Sequence, residues 1–499
     1  GQTTHEEIDA ETNAPVIAVL PASWYASTGA LGRLAAPLQK QFSAWDAWVA
    51  AAYQANERSR VRTREYGYLN YGDWFGERGR NWGNNEYDFA HGFFMQFART
   101  GNRDYFRAAL IAARHQADVD CVHAYPDPYY VGANHQHSIG HTGTWSQNPP
   151  LATWSHRYDY HTEAANGHTW ADGMVDAWYL TGDARVMEAA IGLGEHIVWA
   201  AAPAFKALGT HERSAGWSIK AVLAIYRATG DPKYLEAARH IGSVALSEQK
   251  FDEGGAWPHT LPRDHAGDRP GARGNNLFLI GILLGGLQAL HEETGDPAVR
   301  KSLIAAAEWV LKSWDEVAEG WPYSALVTGE PLYKPSTSLN LLIVGPIAYV
   351  GHLTGDERFI RVAESGLRGV VRQGADAFGK SVAQKMHFTS GTLALLQEWY
   401  ARRPDKGARV LDGSDTGLEE WAARTPVATL HNVRAPDEKR FFVRLDGPTG
   451  ELVAKRSPHG SMMKRAETGT LRVLDAAGKV VHEEQFSTDT ACEIRCPLR

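Results

Sequence analysis

A tripeptide, Thr-Gly-Asp or Thr-Gly-Asn, recurs five times, beginning at Thr100, Thr181, Thr229, Thr294 and Thr354. Each copy follows an apolar segment and precedes an amphipathic one. Glycine ends a helix in a left-handed cap, and Asp or Asn then caps the helix that follows. Each copy therefore marks an αα-hairpin, and the repeat predicts an array of helix pairs. In the last pair Phe359, Val362, Ala363, Leu367, Val370 and Val371 recur three and four apart, which buries one stripe and wets the other face. That is an outer helix. The first members differ: 276–290 and 339–350 are apolar almost all round, as a helix packed on both sides must be. Five pairs plus a helix at 392–401 leave one outer position empty, and a helix at 38–56 is available to fill it. Six pairs close a ring. The expected fold is mainly α, an (α/α)6 toroid, complete or in an incomplete-barrel form.

The turns within pairs are short, whereas the connections from one pair to the next run long, over 58–85, 119–168, 251–275, 317–336 and 373–387. Long loops in a compact domain are usually functional. All emerge where the inner helices begin, so that rim is expected to form a funnel. Helix N-termini converging on it favour anionic groups such as uronate carboxylates. The densest window lies in the first loop, 66–91, YGYLNYGDWFGERGRNWGNNEYDFAH, with rings that can stack on sugars and amides and guanidinium groups that can bond hydroxyls and carboxylates.

Composition excludes other classes. The net charge of −7 on 499 residues makes no field for a polyanion, so nucleic acid is not an expected partner. No apolar run reaches membrane-spanning length, so no membrane partner is expected. The opening GQTTHEEIDA carries neither an initiator Met nor a basic-then-apolar leader, which suggests that residues are missing upstream. Of the three cysteines, Cys492 and Cys496 are close enough in sequence to pair. Beyond 402 the text changes to a polar connector and then to short β-rich runs at 427–433, 440–445, 452–455, 470–474 and 480–486. The expected organisation is an N-terminal strap (1–36), the toroid (37–402), a linker (403–426) and a small C-terminal β-sandwich (427–499).

The order GQTTHE, YGYLNYGDWFGERGRNWGNNEYD, HSIGHTG at 137–143 and GHTWADGMVDAWYLTGD at 167–183 resembles the helical part of the exo-rhamnogalacturonan lyase family, polysaccharide lyase family 26, over roughly the first 400 residues. The resemblance implies an enzyme of acidic-polysaccharide breakdown on a toroid. Members of that family are similar in carrying a β-rich region ahead of the toroid, and the resemblance implies that this chain lacks that part.

A lyase acting on a uronide abstracts the C5 proton, neutralises the carboxylate and protonates the departing O4 oxygen. For the base, the histidines of HQHSIGH (His135, His137, His141) and His168 at an inner-helix start are the candidates. Arg80 with Asn84 and Asn85 suits the neutraliser, and Tyr87 or Tyr160 the acid. Trp74, Arg78, Trp82, Glu86, Trp170, Trp217 and Trp257 are candidate substrate contacts, with core packing as the competing reading of the tryptophans; Trp321 belongs with them. Arg263, Arg269 and Arg273 offer a second uronate site or a solvated loop. The set requires no cofactor; the histidine spacings of two and four leave zinc or calcium as the alternative. The partner implied is an acidic oligosaccharide or polysaccharide. Two rival functions stay open. A glycoside hydrolase on the same toroid needs a carboxylate pair, available among Asp73, Glu77, Glu86, Asp88 and Asp172. A non-catalytic carbohydrate-binding toroid needs none.

Overall fold

The computed structural model describes residues 19–36, 42–65, 71–77, 81–82, 87–134, 167–373, 379–403, 450–456, 468–474, 480–487 and 492–498. The chain divides into two compact units, one of Gly1–Pro37 with Trp48–Val410 and the other of Leu38–Ala47 with Leu411–Arg499.

In the first unit a short helix α1 (Ala22–Thr28) precedes α2 (Ser43–Thr63), which lies in this unit from Trp48 onward. Five helix pairs follow: α3 (Phe89–Thr100) with α4 (Arg103–His115), α5 (Asp172–Thr181) with α6 (Ala184–His196), α7 (Glu212–Thr229) with α8 (Pro232–Glu248), α9 (Leu277–Thr294) with α10 (Pro297–Leu311), and α11 (Val344–Thr354) with α12 (Glu357–Arg372). The short α13 (Gly379–Met386) and α14 (Thr389–Ala401) complete the set. Helices α3, α5, α7, α9, α11 and α14 each pack on the next, and α14 packs back on α3, so the inner layer closes into a ring. Tyr53 of α2 meets Phe93 of α3 and Tyr105 of α4 edge-on, which puts α2 in the remaining outer place. The architecture is the closed (α/α)6 toroid.

The repeated tripeptide does more than glycine and aspartate alone explain. In every copy glycine is left-handed, with φ between 63° and 75°, and donates its N–H to the carbonyl four residues back. The threonine hydroxyl donates to a carbonyl of its own helix and accepts the N–H of the Asp or Asn two residues on. One hydroxyl thus ties the end of the inner helix to the start of the outer one. Asn102, Asp231, Asp296 and Asp356 then cap the next helix from their side chains. Asp183 differs, because it accepts the Arg114 guanidinium.

Burial follows the two predicted patterns. The stripe Phe359, Val362, Ala363, Leu367, Val370 and Val371 is buried, and α9 is buried from Leu277 to Leu287 without a break. A hydrophobic side chain so buried contributes about 1.5–3 kcal/mol. Between α7 and α9 the backbones touch: a Cβ at Gly216 would stand 2.3 Å from the Ile282 carbonyl oxygen, and one at Gly286 2.7 Å from that of Gly216. The inner segment expected at 339–350 is divided, a 3-10 turn at Asn340–Leu342 preceding α11. Residues 19–36 cross the C-terminal ends of the inner helices. There Arg99 donates to the Ala35 carbonyl, Gln397 to that of Ala36, and Arg33 pairs with Glu292 and Glu398.

Strands in this unit are short. β1 (Phe75–Glu77) pairs with β2 (Asn81–Trp82), and β3 (His259–Thr260), β4 (Arg273–Asn276) and β5 (Ser324–Leu326) form an antiparallel sheet with β4 central. No described helix is long and apolar enough to cross a membrane.

In the second unit β6 (Gly450–Arg456) pairs with β9 (Cys492–Leu498), and β7 (Thr468–Leu474) with β8 (Val480–Ser487), all antiparallel. The expected strands at 427–433 and 440–445 lie outside the described residues. A Cys492–Cys496 bridge, the alternative to free thiols, does not fit β9. Both sit in β9, where four residues span about 13 Å, twice the reach of a disulfide.

Candidate active site

The three-stranded sheet delivers polar side chains to the start of α9. Asn276 closes β4 and is the N-cap residue of α9, with Ser324 of β5 opposite it. It is 1% exposed, and its Oδ1 lies 3.1 Å from Nδ1 of His265. An amide oxygen accepts, so Nδ1 carries the ring proton and Nε2 is left as an acceptor. Tyr323 Oη stands 3.3 Å from that Nε2, in position to donate. The loop bearing His265 is held at three points: Ser324 Oγ donates to the His265 carbonyl, Tyr333 Oη donates to the Asp264 carbonyl, and Tyr333 Oη accepts the Gly267 N–H. Asn276 Nδ2 is buried with no hydrogen-bond partner among the described residues.

Arg213, second residue of α7, acts electrostatically on Tyr323. It has no carboxylate partner among the described residues. Its Nε would be 3.3 Å from a Cβ at Gly167, so glycine there lets the guanidinium lie against backbone. Burial raises the Tyr323 pKa above the ordinary phenol, and the Arg213 charge opposes that rise. Glu212, the first residue of α7, is wholly buried, and its Oε1 accepts from Asn275 Nδ2 at 2.9 Å and faces His259 Nδ1 at 3.2 Å. Burial lowers the His259 pKa, but the hydrogen bond and charge of Glu212 more than offset it and leave it above the usual imidazole value.

A second cluster lies where α3 and α5 begin. Asp88, left-handed at φ 53°, accepts the His91 N–H on Oδ1 and the Gly173 N–H on Oδ2, each at 3.0 Å. His91 Nδ1 is 2.7 Å from Asp176 Oδ2, and Lys220 Nζ is 3.8 Å from Asp172 Oδ1. Burial lowers the His91 pKa, yet Asp176, Asp172 and Asp88 together push it up to about 9. Burial pushes Asp176 up to about 7 against the pull of His91. Asp88 is raised by burial, whereas Asp172 is lowered: burial acts upward there, but Lys220 and His91 prevail. His387, 5.3 Å from the His91 ring, is kept neutral by burial and by the Lys220 and His91 charges.

The expected site residues divide three ways. Arg78, Arg80, Asn84, Asn85, Glu86, His137, His141 and Tyr160 lie outside the described residues, as does the HQHSIGH segment. Trp82 falls in β2, and its side chain is not among those described. Tyr87 and His168 are brought together, with ring centroids 6.4 Å apart, beside Trp170 and the Gly167 that underlies Arg213. The tryptophan platforms are corrected. Trp74, Trp170, Trp217 and Trp257 are at most 3% exposed, and a platform needs an open face. Trp217 is stacked on Phe388, and Trp257 donates its ring N–H to the Ala245 carbonyl. Trp321 likewise donates to the Val310 carbonyl. Arg269 and Arg273 are also corrected as uronate ligands, since Glu330 and Glu253 already pair with them. Among the described residues no three His, Cys, Asp or Glu side chains are arranged to hold a metal. Sequence reasoning missed Arg213, Glu212, His259, His265, Asn276 and Tyr323. The signal available was the 251–275 loop, which carries two histidines and runs into two asparagines at a helix start.

No family model matches the chain, and no curated protein sequence does. Solved structures with a similar helical arrangement include a polysaccharide lyase at 14% identity and TM-score 0.47, covering 70% of this chain and 97% of that one. A glycosyl hydrolase family 88 protein from Bacteroides vulgatus follows at 13% and 0.46, covering 70% and 99%. An unsaturated glucuronyl hydrolase from Bacillus sp. GL1 stands at 10% and 0.45, covering 72% and 97%. Likeness at this level carries no inference about chemistry, which rests on the site itself.

Proposed function

We propose that this chain is a carbohydrate-active enzyme acting on a uronic-acid-containing oligosaccharide or polysaccharide, and that it cleaves by β-elimination. The observation that carries this reading is the hydrogen-bonded chain Asn276–His265–Tyr323 ending within the field of Arg213, which has no carboxylate partner among the described residues. Elimination needs a cation on the carboxylate so that the C5 anion can form, and a group that exchanges a proton with the sugar. Arg213, with no carboxylate partner among the described residues, supplies the first. Tyr323 supplies the second, with His265 Nε2 to take or return its proton. The C5–H and C4–O4 bonds break, a C4–C5 double bond forms, and O4 leaves with a proton. A rhamnogalacturonan-type chain is the substrate suggested by the sequence resemblance.

The test is product absorbance in the ultraviolet band of an unsaturated uronate, measured on rhamnogalacturonan oligosaccharides. Wild-type chain is expected to produce it. Tyr323→Phe and Arg213→Ala are expected to lower kcat/KM by about 10²–10⁴-fold with folding intact. Equal rates in both variants would refute the assignment.

One observation favours hydrolysis as a second reading. Asp88 and Asp172 stand at neighbouring inner-helix starts with pKa values displaced in opposite directions, the pattern of an acid and a base sharing one site. Saturated reducing sugar that forms without ultraviolet absorbance, and is lost on Asp172→Asn, would support it.

A further inference from the structure

Two outer helices turn faces of the same period toward one space. On α2, Tyr53, Asn56, Glu57 and Arg60 recur three and four apart, and on α4 so do Asp104, Arg107, Ala108 and Ile111. Where an outer helix only packs, that stripe is apolar, as it is on α12. Here the α2 stripe is polar along its length and half of the α4 stripe is charged. The two faces bound a cavity of about 200 Å³, which Phe89 at the start of α3 and residues 71–74 complete. Gly72 seats that loop on α4, because a Cβ there would stand 2.5 Å from the Ile111 carbonyl oxygen.

The lining suits hydroxyls better than charge. Glu57 already holds Arg60, accepting from Nε and Nη2. Asp104 and Arg107 are exposed at the opening and form no ion pair among the described residues. Glu57, Asp104 and Asp73 nearly cancel Arg60 and Arg107, so the field draws in neither an anion nor a cation. Asn56 is only 8% exposed, lines the cavity, and its amide has no hydrogen-bond partner among the described residues. A buried amide left in that state is costly, and a ligand that pairs with it removes the cost. Beside it the Tyr53 hydroxyl also has no partner among the described residues. Burial, Glu57 and Asp104 raise its pKa while Arg60 and Arg107 oppose the rise, so it stays a neutral phenol amid those four charges. Amide and phenol each offer a donor and an acceptor, which is what a sugar hydroxyl asks of its neighbours. Ala108, Ile111 and Phe89 supply apolar wall for the ring carbons.

We propose that this cavity is a second carbohydrate site, which takes one ring of a neutral sugar on the outer wall of the toroid. Its volume falls below the about 300–1,000 Å³ of clefts that enclose drug-sized ligands, so a single ring fits and an oligosaccharide does not. The site is separate from the one at Tyr323. Its inner helix is α3, and α9 stands three places away in the ring of six, on the opposite side. Binding here requires no elimination at Tyr323.

The test is a titration of the full-length chain with D-galactose, L-rhamnose, D-galacturonate and glycine, followed by saturation-transfer NMR. A neutral sugar is expected to bind best. Asn56→Leu fills the cavity and removes the amide, and is expected to weaken that binding about tenfold. Arg107→Ala is expected to weaken it less, and Tyr323→Phe to leave it unchanged. Arg107 is exposed, so its variant keeps the test open should circular dichroism show Asn56→Leu unfolded. The proposal is overturned if no neutral sugar binds, if galacturonate or glycine binds more tightly, or if no folded variant of the pair weakens binding. Sugar binding that persists in a chain yielding no unsaturated product overturns the elimination reading alone.

Discussion

Gly173→Ala is expected to be among the most destabilising single-methyl additions in the toroid. Gly173 is the second residue of α5, and its N–H is donated to Asp88 Oδ2, which joins the starts of α3 and α5. An added Cβ would stand 2.4 Å from Asp88 Oδ1, 2.7 Å from Ala90 Cβ and 2.8 Å from the His91 nitrogen. Two of those atoms belong to the capped first turn of α3 and cannot swing aside. Either α5 retreats by about an ångström or Asp88 leaves its cap. Overpacking of this kind costs about 1–3 kcal/mol. Losing a carboxylate hydrogen bond to a buried N–H adds about 1.5–3 kcal/mol. Where both occur the loss is about 2.5–6 kcal/mol. Gly182→Ala is the control: it has open space around its Cβ but is left-handed at φ 72°, so only backbone strain of about 1–2 kcal/mol applies. Urea unfolding of the three proteins, followed by circular dichroism, measures the difference. Gly173→Ala as stable as Gly182→Ala would show that Asp88 does not join the two helices closely.

Two further outcomes follow from the same structure. His91 is held above its unfolded pKa, so its contribution is complete below about pH 6.5 and is lost as pH rises toward about 9, a decline of about 3 kcal/mol. Asp176→Asn should flatten that decline in denaturant midpoints measured at pH 6 and pH 9, and an equally steep decline would contradict it. Asp296→Ala removes the cap on the Ala298 N–H and should cost about 1 kcal/mol of unfolding free energy with activity unchanged, whereas Asp296→Asn should cost little.

The ring was legible because its information is local. A Thr-Gly-Asp copy fixes a helix end, a turn and a helix start within three residues, and the periods of 276–290 and 357–372 distinguish inner from outer helices without reference to anything distant. The mouth was legible only as a place. Long loops singled out the rim where the inner helices begin, but Tyr323 meets His265 across 58 residues and Asn275 meets Glu212 across 63, and no periodicity encodes such meetings. The tryptophans misled for a related reason. Indole serves core and sugar platform alike, and only the neighbours that pack Trp217 and Trp257 decide between them. β9 was missed because Pro497 and two cysteines disguise the alternation of CEIRCPL, yet Pro497 sits in a strand with one described partner, β6, in its ladder.

The central claim is that the mouth of this ring eliminates across a uronic acid rather than adding water to a glycosidic bond. Digesting rhamnogalacturonan oligosaccharides in heavy-oxygen water and weighing the fragments by mass spectrometry tests it most directly. Elimination predicts two fragments whose masses sum to that of the substrate, with no solvent oxygen fixed at the cleavage site. Fragments that together gain one water, carrying solvent oxygen at the new reducing end, would contradict the claim and move the chemistry to Asp88 and Asp172.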